Sequence, residues 1–113
     1  MENETSAETK YAAVVSVMLR NPAVTLGKPG KKGFGSNELM VGGKIFAMLS
    51  GGRLVVKLPR QQVEALVLSA NGKQFDPQRN GRLMKEWLVL NPDSDQDWLT
   101  LATDAMQFVA SKL

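Results

Sequence analysis

The chain has 113 residues, 43% apolar and 22% charged, the make-up of one folded domain. It contains no cysteine and no histidine, which excludes disulfides, thiolate metal sites, cysteine nucleophiles and histidine acid–base chemistry. The net charge of +3 is unevenly spread: residues 20–60 set eight Lys or Arg against Glu38 alone, while residues 86–113 set five acids against Lys112.

The N-terminus, Met1 to Thr9, is polar and acidic, unlike a secretory signal. Thr5-Ser6-Ala7-Glu8 reads as a capping box, with Glu8 reaching back to Thr5. Tyr11, Val14, Val15, Met18 and Leu19 then recur at helical spacing until Asn21-Pro22 stops the helix. Ala23 to Leu26 has the makings of a short strand. Gly27 to Ser36 holds four glycines and a proline, so it is predicted to be a loop.

A β-meander follows. Glu38–Val41, Lys44–Leu49 and Arg53–Leu58 are apolar-rich runs separated by Gly42-Gly43 and Gly51-Gly52, and paired glycines favour two-residue turns. Such turns set the register by counting: Met40 opposite Ile45, Leu49 opposite Leu54, Ala47 opposite Val56 and Ile45 opposite Leu58. Those side chains share one face, the expected core. The other face then carries Leu39, Val41, Phe46, Met48 and Val55 beside Lys44, Arg53 and Lys57.

Pro59 suits a first helical turn, and Val63, Leu66, Val67 and Ala70 form an amphipathic stripe ended by Asn71-Gly72. A short strand is expected near Gln74-Phe75, a turn over 76–81 and a strand over Leu83–Leu90. Pro92 and the Asp93-Ser94-Asp95 cluster open a last helix. Its stripe is Trp98, Leu101, Ala102, Ala105, Met106, Val109 and Leu113. The predicted order is helix, three strands, helix, two strands, helix. No repeat or boundary interrupts it, so residues 1–113 read as one α+β domain. No apolar run approaches the ~20 residues that span a bilayer, and the cytoplasm is the expected location.

Motifs for catalysis fail on inspection. From Gly30 the spacing of a phosphate loop reaches Gly35, but Ser36 stands where lysine is needed. Asp93-x-Asp95-x-Asp97 begins like a calcium loop, yet Trp98 occupies the position of the turning glycine. Helix capping explains these carboxylates better. No catalytic residue, cofactor or metal is expected. The functional signal is a basic-aromatic set: Lys28, Lys31, Lys32 and Phe34 in the loop, with Lys44, Arg53 and Lys57 on the meander. Lysine and arginine neutralise phosphates, and bases stack on aromatic rings. Nucleic acid is therefore the expected ligand class. The alternative is a homodimeric protein-interaction module that uses Leu39, Val41, Phe46, Met48 and Val55, since an apolar face of that size needs a cover.

Several segments together resemble a known group. Gly33-Phe34-Gly35, Gly43-Lys44-Ile45-Phe46-Ala47, Val55-Val56-Lys57-Leu58-Pro59, Phe75-Asp76, Gly81-Arg82-Leu83-Met84-Lys85-Glu86-Trp87 and the Trp98 helix are similar to the bacterial TfoX N-terminal-like family. That family belongs to a wider superfamily with the YjbR (MmcQ) proteins. The resemblance implies a two-layer, secretion-chaperone-like sandwich, with an antiparallel sheet of about five strands and three helices in the order α-β(3)-α-β(2)-α. It also implies a regulatory, DNA-associated role and supplies no catalytic residue.

Overall fold

A computed structural model of the chain describes residues 7–27, 36–75 and 84–113. Its elements are α1 (Ala7–Met18), β1 (Val24–Leu26), β2 (Ser36–Val41), β3 (Lys44–Ser50), β4 (Arg53–Lys57), α2 (Arg60–Leu68), β5 (Gly72–Phe75), β6 (Met84–Leu90) and α3 (Trp98–Ala110). The strands form one antiparallel sheet in the order β1-β2-β3-β4-β6-β5. The sheet has six strands where about five were expected. The additional strand is β1, whose three residues pair with Leu39 to Val41. The predicted capping box, the glycine-lysine loop from Lys28 to Gly35 and the 76–81 turn lie on or beyond residues outside those described.

Both hairpins turn as the glycine pairs dictate. Gly42 and Gly51 have φ of 59°, Gly43 and Gly52 have φ of 79°, and positive φ at both central residues is the signature of the tight turn that matches strand twist. The register follows: Met40 faces Ile45, Ala47 faces Val56 and Leu49 faces Leu54. The fourth expected pair does not form. The β3–β4 ladder runs from Ser50–Arg53 to Ala47–Val56, and on its other side the Leu58 amide donates to the Glu86 carbonyl at 2.9 Å.

The predicted division of faces is corrected at β2 and β3. Leu39 lies opposite Ala47 while Met40 lies opposite Ile45, so Phe46 is one residue too many on β3. A bulge of this kind swings side chains from one face to the other. Leu39, Val41 and Phe46 consequently enter the main core, and Met40 and Ile45, expected there, are only half-buried. Alternation reasoning cannot detect the extra residue, because the sequence around Phe46 reads as an unbroken strand.

The main core joins Leu39, Phe46, Ala47, Leu54, Val56, Leu58 and Leu88 of the sheet layer to Tyr11 and Val14 of α1, Val63 of α2, and Leu101, Ala102 and Ala105 of α3. All three helices thus cover one face of the sheet, a two-layer α+β sandwich. A second, smaller cluster of Met48, Val55 and Val89, flanked by Phe75 and Trp87, draws on strands alone. It occupies the opposite face.

The apolar stripes of α1 and α3 are largely as expected, with corrections at their ends, whereas in α2 Val63 is buried, Leu66 half-buried, Val67 exposed and Ala70 exposed past the helix. Leu19 is 40% exposed and Leu113 66% exposed, because both lie past the last helical turn. At α3 the Asp97 carboxylate accepts from the Thr100 amide at 2.9 Å and from the Thr100 hydroxyl at 2.8 Å. These bonds hold its pKa below the ordinary carboxylate range. Asp97 therefore caps the helix, as the sequence predicts for this cluster.

The end of α2 carries backbone strain. Ala70 has φ of 64°, while the Ala70 amide donates to the Val67 carbonyl and the Asn71 amide to the Leu66 carbonyl. This double closure normally takes glycine in the left-handed position, where a Cβ is costly. Ala70→Gly should raise the unfolding free energy by about 0.5–1 kcal/mol, a few degrees in Tm, after allowance for the freer unfolded chain. Thermal melts by circular dichroism check this, and a lower Tm would contradict it.

Tyr11 is the titratable group deepest in the core. It is 1% exposed and donates to the Ala47 carbonyl at 3.3 Å. Burial first, and the Glu38 charge second, push its pKa well above the ordinary 10.0. Below about pH 10 the phenol is protonated in both folded and unfolded chains, so stability there is unaffected. Above it, only the unfolded chain releases the proton. Stability should then fall by up to about 1.4 kcal/mol per pH unit until the folded phenol ionises. Tyr11→Phe should melt at somewhat lower temperature near neutrality and show a flatter decline above pH ~10 than the wild type. Parallel declines would exclude Tyr11 as the cause.

Candidate functional site

Among the described residues no helix packs on the opposite face of the sheet, and this helix-free face is built in rows, because directly opposed residues share a side. Its middle row runs Met48, Val55, Val89 and Lys73 across β3, β4, β6 and β5. On one side stand Ser50 and Arg53. On the other stand Lys57 and Trp87, with Phe75 following on β5. The row spacing follows from strand geometry: Arg53 and Lys57, four residues apart on β4, lie about 13 Å apart.

The apolar centre is closed. Val55 is fully buried, Met48 2% exposed and Val89 7% exposed. The rim is accessible: Lys73 is exposed, and Arg53, Lys57, Trp87 and Phe75 are half-buried. The Lys57 ammonium sits 5.8 Å from the centre of the Trp87 ring, a cation–π contact that holds both on this face.

Electrostatically the rim is of one sign. Among the described residues no Asp or Glu occupies these rows. Ion pairs among the described residues are Arg60–Glu64 at 3.1 Å on α2 and Lys112–Glu86 at 3.7 Å, and neither involves Arg53, Lys57 or Lys73. Glu8, Glu64 and Asp104 belong to the helices, and Asp93, Asp95 and Asp97 to the approach to α3. The remaining described acids are Glu38 on β2 and Glu86 on β6, and the helical side carries cations as well, Lys10 on α1, Arg60 on α2 and Lys112 just past α3.

Of the basic-aromatic candidates, Arg53 and Lys57 are brought onto this face. Lys44 is set apart, at the start of β3 beside the Gly42-Gly43 turn and away from Arg53. Lys28, Lys31, Lys32 and Phe34 lie outside the described residues. The apolar candidates Leu39, Val41, Phe46, Met48 and Val55 are at most 4% exposed, so within the single chain they form core rather than a surface. Sequence reasoning missed Trp87, Phe75 and Lys73. Trp87 and Val89 alternate on one strand, which was visible. That β6 docks beside β4 after a helical crossover was not.

A second feature adjoins this face. Beyond Ala47–Val56, β3 and β4 part, and a groove of about 430 Å³ opens between them. Another depression, of about 440 Å³, lies between α1 and the approach to α3, where Lys10 stands 4.7 Å from the Trp98 ring centre beside Asp95 and Asp97. Its charges are mixed. Among the described residues no group of acids is arranged to hold a metal ion, and no helix is long and apolar enough to cross a membrane.

Comparison with protein-family models, with curated proteins and with solved structures found no match to this chain.

Proposed function

We propose that the chain is a non-enzymatic binding module whose helix-free sheet face takes single-stranded nucleic acid. One observation carries the reading: Arg53, Lys57 and Lys73 share a face with Trp87 and Phe75, and among the described residues no acid stands in its rows. Unpaired bases stack on aromatic rings presented by a sheet, and flanking cations follow the phosphates. A duplex hides its bases, so the same face offers it charge alone. The resemblance to the TfoX N-terminal-like family gives the reading a regulatory setting in a bacterial cytoplasm.

Fluorescence anisotropy with labelled single strands of DNA and RNA tests it. Three cations on phosphates give a slope of log K against log salt of about −2. Stacking should quench Trp87 emission, and a Trp87→Phe variant assigns the signal. Absence of binding at micromolar protein in low salt, or equal affinity for duplex without quenching, would remove the proposal. The homodimer alternative gains no support from its five apolar residues, which the chain already buries.

A further inference from the structure

The groove between β3 and β4 has a composition of its own. Its apolar lining comes from Met40 and Ile45 on the sheet and Val109 and Leu113 at the end of α3, with Trp87 alongside. Three lysines, Lys44, Lys57 and Lys112, stand around it, and among the described residues no Asp or Glu side chain belongs to the lining. Two features of the fold create it. The extra residue at Phe46 turns Met40 and Ile45 away from the core and ends the β3–β4 ladder early. The C-terminal end of α3 then packs at the β2–β3 turn, with Leu113 against Gly42.

The three lysines differ in what already holds them. Lys112 lies 3.7 Å from Glu86 and 4.5 Å from the Phe108 ring centre. Lys57 leans on Trp87, and Lys44 is exposed. Neither Lys44 nor Lys57 has an acidic partner among the described residues. Two uncompensated ammonium groups over an apolar recess suit an anion with a hydrophobic body. The volume, about 430 Å³, falls within the range of small-ligand pockets, about 300–1,000 Å³.

We propose that this groove binds a small amphipathic anion, a single carboxylate, sulfonate or phosphate on an apolar body. The anionic group lies between Lys44 and Lys57, and the body lies against Ile45, Val109 and Trp87. This site shares Lys57 and Trp87 with the sheet face, but Lys44, Ile45 and Val109 belong to none of the rows proposed for the strand, so a change at Lys44 tests the groove separately.

Backbone-amide NMR titrations of the full chain test it. The probes are decanoate, for a flexible body, naphthalenesulfonate, for a flat one, and decyltrimethylammonium, the same chain with the opposite charge. At least one anion should saturate in the millimolar range or below, with shifts centred on Gly43, Lys44, Ile45, Lys57 and Lys112. The cation should leave these amides unmoved. Lys44→Glu, at an exposed position, should weaken the anion by about tenfold while oligonucleotide affinity stays within about twofold. Should that variant misfold, Lys44→Gln keeps the test, with a smaller loss. Shifts elsewhere, equal binding of the cation, or no saturation by either anion would overturn the proposal.

Discussion

A chain carrying Arg53→Glu, Lys57→Glu and Lys73→Glu should lose single-strand binding by roughly a hundredfold or more at low salt. Exposed ion pairs contribute up to about 1 kcal/mol each, so three lost contacts amount to about 3 kcal/mol, with repulsion added. The salt slope should collapse from about −2 toward zero, because no counterions are released where no phosphate is neutralised. The fold should survive, since all three side chains sit at the rim and none belongs to either apolar cluster. Anisotropy titrations across a salt series, with circular dichroism as the folding control, decide the matter. An unchanged slope in the triple variant would move the binding surface elsewhere, and a reversal of Arg60 on the exposed side of α2 should by contrast change little.

Gly72→Ala should cost about 2–3 kcal/mol, or about 10 °C in Tm. Gly72 begins β5 opposite Leu90, and its backbone passes close to β6. An added Cβ would lie 2.5 Å from the Val89 carbonyl oxygen and 2.8 Å from Leu88 Cδ1. The first of these neighbours is backbone in a sheet and cannot rotate aside, so β5 must shift. That shift also disturbs the junction where Asn91 donates to the Ala70 carbonyl at 2.9 Å and Ser94 to the Asn71 side chain at 2.7 Å. Lys73→Ala, one residue on with its side chain exposed, should be nearly neutral. A melting temperature for Gly72→Ala within a degree or two of the wild type would show that β5 has room the geometry does not reveal.

The two sites divide their dependence on the fold. The sheet face needs β4, β6 and β5 in register, and so Gly72→Ala should reduce strand binding through the displacement of Lys73 and Phe75. The groove needs the bulge at Phe46 and the end of α3, and meets the sheet face only at Lys57 and Trp87. Variants that separate the two activities would follow from that geometry.

Much of the fold was legible along the chain because its signals are local. Paired glycines set both hairpins, since only positive φ at two successive residues closes such a turn. Helical spacing marked the buried stripe of α3, and the acidic cluster before Trp98 identified the cap that Asp97 makes. The charge imbalance between the middle and the end of the chain was equally plain. What composition could not convey was which residues share a face. One surplus residue at Phe46 reverses Leu39, Val41, Met40 and Ile45, and the energy that selects it comes from packing Phe46 among helices far away in sequence. The neighbour of β4 is likewise β6, reached after α2 and β5, so Lys57 meets Trp87 only through tertiary docking. Local propensity determined the elements and their order. Long-range burial decided their faces, and with them which cations stand together.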